Sequence, residues 1–303
     1  MTQPSFGKRL GWRIETFFYD LVCLLLKPFS FNQVSAIGGW IIGSIGPLTS
    51  KQKIARTGLK IAFPDASKDE IKSLLKQQWK NTGRTFAEFP ILHRLDVRDG
   101  NDRVKVIGGD ILQDIIKHGK PVVIVTGHFA NWEVMAMVLT QWGLDVQITY
   151  RPINNPHIDR RVRRQREAYG TKLMVPKSGP KGAKELVDAL KRGESIALLN
   201  DQKFNQGIAI PFFGVDAMTA PGPTRLSLAS GAPILPLSLA RDKANFTMTV
   251  HDLIELKNTG NRNKDVEEGV RRINKFIEDR VRKNPTQWFW VHRRWPKEHY
   301  RAD

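Results

Sequence analysis

Apolar positions along this chain recur at two spacings, and their alternation outlines the fold. From residue 69 to 89, Ile71, Leu74, Leu75, Gln78, Trp79, Thr82, Phe86 and Phe89 fall near helical spacing, and Pro90 ends the run. Residues 103–107 alternate as a short strand that Gly108 and Gly109 break; residues 110–118 return to helical spacing and close at Gly119. Residues 121–126, PVVIVT, form an unbroken β-branched run, the mark of a strand buried on both faces. The order then repeats: helix 134–142, strand 146–150, a basic helix 156–169, strand 172–175, helix 181–191 and strand 195–199. Helix 222–230, strands 234–240 and 245–250, helix 265–283 and a short strand 288–291 complete the chain. Strands alternating with helices predict an α/β fold with a largely parallel sheet flanked by helices.

Two apolar stretches precede this region. Residues 17–29 follow Lys8, Arg9 and Arg13 and are interrupted by Asp20 and Lys27; residues 34–48 contain Gly38, Gly39, Gly43 and Gly46. Neither reaches the roughly 20 clean apolar residues that a spanning helix needs, and no small-residue cleavage site follows. The pattern fits a helical segment that lies in the bilayer interface or inserts partway, with its cations at the headgroups. Packing as an ordinary core helix is the alternative. The expected division is a membrane-associated segment over 1–50 and an α/β domain over 51–303.

The chain has 303 residues, with 48 Lys and Arg against 30 Asp and Glu, for a net charge of +18. That excess calls for an anionic partner: nucleic acid, an anionic bilayer, a phosphorylated substrate or an acidic protein. Neither a G-x-G-x-x-G nor a Walker sequence occurs, so the usual nucleotide-binding loops are absent. Cys23 is the single cysteine, so no intramolecular disulfide forms; its apolar neighbours predict a buried, unreactive thiol.

The chemistry concentrates in residues 126–133, TGHFANWE. The buried strand ends at Thr126, Gly127 permits a tight turn, and His128 falls at the carboxyl end of the strand, where open α/β sheets place their sites. Asn131 reads as a helix N-cap, which puts Glu133 in the first helical turn. Across such a junction His128 and Glu133 can meet, with the carboxylate fixing the imidazole tautomer so that the other nitrogen acts as a general base on a hydroxyl. His-x4-Glu is not a zinc pattern, and His118 and His157 lack ligand spacing, so no metal is expected. Asp201 also follows a buried strand and reads as a site residue or a loop cap.

The HFANWE segment resembles the H-x4-E motif of the late lipid A acyltransferases, the lauroyl- and myristoyltransferases of Gram-negative endotoxin synthesis. Further segments resemble that family in the same order: Tyr150-Arg151-Pro152 with Asn155-Pro156, the arginines from Arg160 to Arg166 before Gly170, Asn200-Asp201-Gln202, Pro211-Phe212-Phe213-Gly214 with Thr219-Ala220, and residues 287–295, QWFWVHRRW. The related glycerol-phosphate acyltransferases carry Asp where this chain has Glu133, which favours the lipid A branch.

The resemblance implies a glycerol-phosphate-acyltransferase-like fold and transfer of an acyl chain from acyl carrier protein to a hydroxyl of a phosphorylated glucosamine-disaccharide lipid A precursor. It implies no cofactor beyond the acyl-carrier co-substrate. His128 and Glu133 are then the catalytic pair, with Arg166 or Arg164, Asp201, Asn131, Arg151 and Thr219 as substrate-binding candidates. The partners implied are acyl carrier protein, the anionic glycolipid and the membrane, with no nucleic acid; the place implied is the inner (cytoplasmic) membrane, with the catalytic domain on its cytoplasmic face. Phe212, Phe213 and Gly214 suit an acyl channel or core packing; Trp288, Trp290 and Trp295 beside Arg293 and Arg294 suit a membrane interface or packing of the last strand. The rival readings are an acyltransferase for another glycolipid or phospholipid and a basic nucleic-acid-binding protein, for which no binding motif is present.

Overall fold

The computed structural model describes residues 5–98, 102–175 and 179–301. Four helices come first: α1 (Phe6–Leu26), α2 (Phe31–Ile45), α3 (Lys51–Ala62) and α4 (Lys68–Glu88). Ser30 with Gln33 and Ser67 with Glu70 form capping boxes that start α2 and α4 by satisfying their first backbone N–H groups. The glycines that interrupt the second apolar stretch are a contact stripe. A Cβ on Gly83 of α4 would lie 2.2 Å from the Gly38 carbonyl oxygen, and one on Gly38 would lie 2.2 Å from the Ala87 Cβ. The two helix backbones touch there, so Gly83→Ala is expected to destabilise the fold by about 1–3 kcal/mol through overpacking, read from a shifted denaturant midpoint.

The rest of the chain alternates as the pattern predicts. In order it forms β1 (Val104–Ile107), α5 (Gly109–His118), β2 (Val123–Thr126), α6 (Glu133–Gln141), β3 (Val146–Thr149), α7 (Pro156–Ala168), β4 (Lys172–Met174), α8 (Pro180–Lys191) and β5 (Ser195–Leu199). A hairpin, β6 (Ile208–Phe212) and β7 (Val215–Thr219), precedes α9 (Gly222–Ser230), β8 (Ile234–Asp242), β9 (Asn245–Val250) and α10 (Arg262–Lys283). The seven-stranded sheet has the order β1-β9-β8-β2-β5-β3-β4. The five strands from β8 to β4 are parallel; β9 returns antiparallel to β8, and β1 runs parallel to β9. Every residue of β2 is buried, as its unbroken apolar run requires.

Three local expectations are corrected. Residues 288–291 form no strand: Trp288 makes only an isolated bridge to Phe129. Residues 51–62 and the β6–β7 hairpin are regular elements that the apolar pattern did not mark. Cys23 is half-buried, and burial pushes its thiol up, away from reactivity.

No helix among the described residues is long and apolar enough to cross a membrane. The outer faces of α1 and α2 are nonetheless apolar: Phe17, Phe18, Trp40 and Ile45 are each at least half exposed, and Leu48 just beyond α2 is 85% exposed.

Candidate active site

β2 and β5 are neighbours, with Thr126 opposite Leu199. His128 and Asp201 each lie two residues beyond those paired positions, so the sheet register delivers both side chains to one point. The imidazole Nδ1 is 2.7 Å from Asp201 Oδ1. The His128 backbone N–H and the Trp288 indole N–H both donate to Asp201 Oδ2, each at 2.7 Å. Asp201 has no exposed surface. Burial alone would raise its carboxyl, but His128 and the donated N–H bonds hold it well below the usual carboxylate range. An ionised carboxylate only accepts, so Nδ1 carries a proton, and in the neutral tautomer that this selects, Nε2 is the nitrogen with the lone pair. The carboxamide nitrogen of Gln202 lies 3.4 Å from that Nε2.

Gly127 is required by close approach. A Cβ there would lie 2.9 Å from the Phe129 ring and 3.1 Å from Asp201 Oδ2. The loop beyond it is clipped to the C-terminal segment: Ala130 N–H donates to Gln287 O at 2.8 Å, and Phe289 N–H donates to His128 O at 3.1 Å. Thr85 of α4 donates its hydroxyl to Ala130 O at 2.8 Å. These bonds hold Ala130 at φ 45°, a left-handed conformation unusual for alanine.

Glu133 is not the partner of His128, and that expectation is corrected. As the first residue of α6 its side chain meets α7. Arg166 forks its carboxylate, through Nε at 2.7 Å and through Nη2, and Tyr169 donates its hydroxyl at 3.1 Å. The Arg166 guanidinium also stacks on Tyr150, 4.8 Å from the ring centroid. Burial opposes the charge on Arg166, but the Glu133 carboxylate more than offsets it and raises the guanidinium above its ordinary range. A five-residue separation across a bend permits contact but does not impose it; the imidazole pairs instead with Asp201, just beyond the end of the adjacent strand.

His128, Glu133, Arg151 and Arg166 all line one cavity of about 520 Å³. Its remaining wall is largely apolar, from Ile124 of β2, Met135, Ala136 and Leu139 of α6, Ile148 of β3, and Ala197 and Leu198 of β5. The cavity therefore runs between the sheet and α6, with an imidazole and a carboxylate–guanidinium pair on its wall. Among the described residues no group of three or more His, Cys, Asp or Glu side chains could hold a metal ion.

Residues 12–297 match the model of the bacterial lipid A biosynthesis acyltransferase family. The chain belongs to that family. It is 27% identical to a lipid A biosynthesis palmitoleoyltransferase of Escherichia coli K12 over 254 residues, 82% of this chain and 79% of that protein. It is 26% identical to the lipid A biosynthesis lauroyltransferase of the same organism over 250 residues, 80% of this chain and 78% of the relative. A lipid A biosynthesis acyltransferase of Haemophilus influenzae is 22% identical over 294 residues, 95% of this chain and 88% of that one.

In this lipid A acyltransferase several other sequence candidates take different places. Of the two arginines left open, Arg166 lines the cavity, whereas Arg164 is exposed and outside its lining. Asn131 does not cap α6: its side chain is fully buried and donates to Glu88 Oε2 at 2.9 Å, and Trp132 holds the cap position without a side-chain bond. Arg241 forks the same Glu88, at 2.7 Å to each oxygen, so this buried pair braces the loop from behind. Thr219 is buried away from the cavity, accepting from Arg294 at 2.7 Å and Asn274 at 3.3 Å.

Phe212 and Phe213 pack in the core rather than line the cavity, and Trp288, Trp290 and Trp295 are each 1% exposed, with Arg294 wholly buried over the Phe212 ring. These tryptophans are core residues, not an interfacial belt. The sequence reading missed Trp288 as a donor to Asp201, together with Tyr150, Tyr169 and Gln202. A cue for Trp288 was its indole N–H, which seeks an acceptor whenever it is buried.

Proposed function

We propose that the protein transfers a fatty acyl chain from acyl carrier protein to a hydroxyl of a phosphorylated lipid A precursor, at the inner face of the cytoplasmic membrane. The observation that carries this reading is the His128–Asp201 pair opening onto a cavity whose far wall is hydrocarbon. Nε2 of His128 takes the proton of the acceptor hydroxyl as its oxygen attacks the thioester carbonyl. The tetrahedral intermediate collapses, the C–S bond breaks, and the imidazolium returns the proton to the departing thiolate. Asp201 stabilises the imidazolium between the two steps without itself taking the proton.

Arg166 lines the cavity beside His128, and its guanidinium is the candidate donor to the carbonyl oxygen. The net charge of +18 suits both an acidic carrier and an anionic glycolipid. The apolar outer faces of α1 and α2 suit an interfacial position with α1 lying along the bilayer surface. The test is incubation of the purified protein in neutral detergent micelles with acyl-loaded carrier protein and a defined precursor, read by mass spectrometry. Gain of one acyl mass at a hydroxyl supports the reading; no gain with any acyl length contradicts it.

The apolar end of the cavity would hold the acyl chain, and Ala136 of α6 leaves room in its wall. Ala136→Phe is expected to move the preferred chain to a shorter length. Loss of space for two methylenes, at about 0.8 kcal/mol each, lowers kcat/KM for the longest substrate roughly tenfold or more. Competition among acyl carriers of different lengths measures the shift.

A further inference from the structure

We propose that a groove between the first turns of α1 and α7 binds the phosphate of the acceptor lipid, an assignment that rests on the acyl-transfer reading above. The groove has a volume of about 540 Å³. Arg9 and Arg13 of α1 supply its cationic side, His157 of α7 adds a polar ring, and Phe6, Leu10 and Pro156 supply an apolar side.

Three of the four carboxylates on the two helices are engaged elsewhere, and the fourth, Glu167, is exposed at the far end of α7, outside the groove lining. Glu15 accepts from Asn155 at 3.0 Å, Asp20 is forked by Arg161 at 2.6 Å through each oxygen, and Asp159 accepts from Tyr150, Arg163 and the Ile153 N–H. Arg9 and Arg13 have no side-chain hydrogen bond or ion pair among the described residues. The start of α7 contributes little of its own, because Asn155 Oδ1 already accepts from the His157 and Ile158 N–H groups. The arginines are thus the free charge of the groove.

The two walls are held in place. Asn155 is 2% exposed and donates to the Trp12 carbonyl at 2.8 Å, and Tyr19 donates to Gln165 at 3.0 Å further along. A cationic groove with an apolar wall suits an anion carried on a lipid; a free phosphate gains nothing from Phe6 or Leu10. α7 connects this groove to the catalytic cavity, since Pro156 opens the helix and Arg166 lines that cavity. At 1.5 Å per residue the separation is about 15 Å along the helix. A phosphorylated glycolipid whose hydroxyl sits at His128 spans such a distance with its headgroup. The ligand chemistry is a phosphate ester, and the source assigned is the acceptor rather than a bulk phospholipid.

The test compares the wild type with an Arg9→Ala/Arg13→Ala double variant. Both side chains are exposed, and a thermal melt checks that the fold is kept. KM and kcat are measured in neutral detergent micelles for the phosphorylated acceptor and for its dephosphorylated counterpart. The expected result is a rise in KM of roughly tenfold or more for the phosphorylated acceptor, with kcat changed less than about twofold. For the dephosphorylated acceptor, the variant and the wild type should have the same KM.

An equal rise for both acceptors overturns the assignment, as does no rise, or a loss seen only on anionic phospholipid vesicles and not in neutral micelles. Equilibrium binding of the phosphorylated acceptor without donor separates the two readings. Arginine-dependent binding without turnover leaves the groove standing and removes the transfer reading. Turnover with arginine-independent binding does the reverse.

Discussion

His128→Ala is expected to lower the transfer rate by roughly two to four orders of magnitude, the range lost with a positioned general base. In the proposed reaction the acceptor is an alcohol, a weak nucleophile at neutral pH, and Nε2 is the lone-pair nitrogen of the neutral tautomer that Asp201 selects. The His128 side chain is only 15% exposed but sits at the edge of a cavity. In the variant Asp201 keeps its bonds from the His128 backbone N–H and the Trp288 indole, so the loss of rate should far exceed any loss of stability read from a thermal melt. Asp201→Asn should approach the same loss. An amide can donate to Nδ1, which would leave Nε2 protonated and unable to accept, an effect on the order of 10²–10⁴. Initial rates of acyl transfer at saturating substrates check both variants, and near-normal turnover in His128→Ala would remove the assignment.

Glu133→Ala is expected to act differently, because Glu133 is half of a buried ion pair. The Glu133 and Arg166 side chains are 6% and 14% exposed, and removal of the carboxylate leaves the guanidinium without its counter-charge. Breaking a buried pair in this way costs about 3–5 kcal/mol. The loss should therefore appear in the unfolding midpoint as well as in the transfer rate. Glu133→Gln keeps the shape and one acceptor, and should retain more of both. Urea unfolding monitored by tryptophan fluorescence separates the cases. Wild-type stability in Glu133→Ala would show that the carboxylate does not hold Arg166 as described.

Much of the sheet was legible in the residues. The run 121–126 could only be a strand buried on both faces, and β2 has that burial. The glycines after helices 110–118 and 222–230 stop α5 and α9, with Gly119 and Gly231 both left-handed. The β6–β7 hairpin was not legible, because its strands carry Pro211 and Asp216 and turn through Phe213, at φ 54°, and Gly214. His128 was legible as a site residue because strand end, glycine and imidazole coincide.

Its partner was not, because strand order is a property of the whole sheet: residues 73 positions apart meet only because β5 pairs with β2. Periodicity along one segment carries no information about which strand lies beside it. The tryptophans of 288–295 show the same limit, since aromatic rings beside arginines suit a bilayer interface and a core equally well until Arg294 is found wholly buried.

The central claim is that His128 and Asp201 act as one unit on the acceptor hydroxyl, and a double-mutant cycle tests it most directly. Transfer rates are compared for His128→Ala, Asp201→Asn and the double variant, because residues that act together lose activity non-additively. The double variant is expected to be no slower than His128→Ala alone. Losses that multiply, or an Asp201→Asn enzyme with wild-type rate, would contradict it.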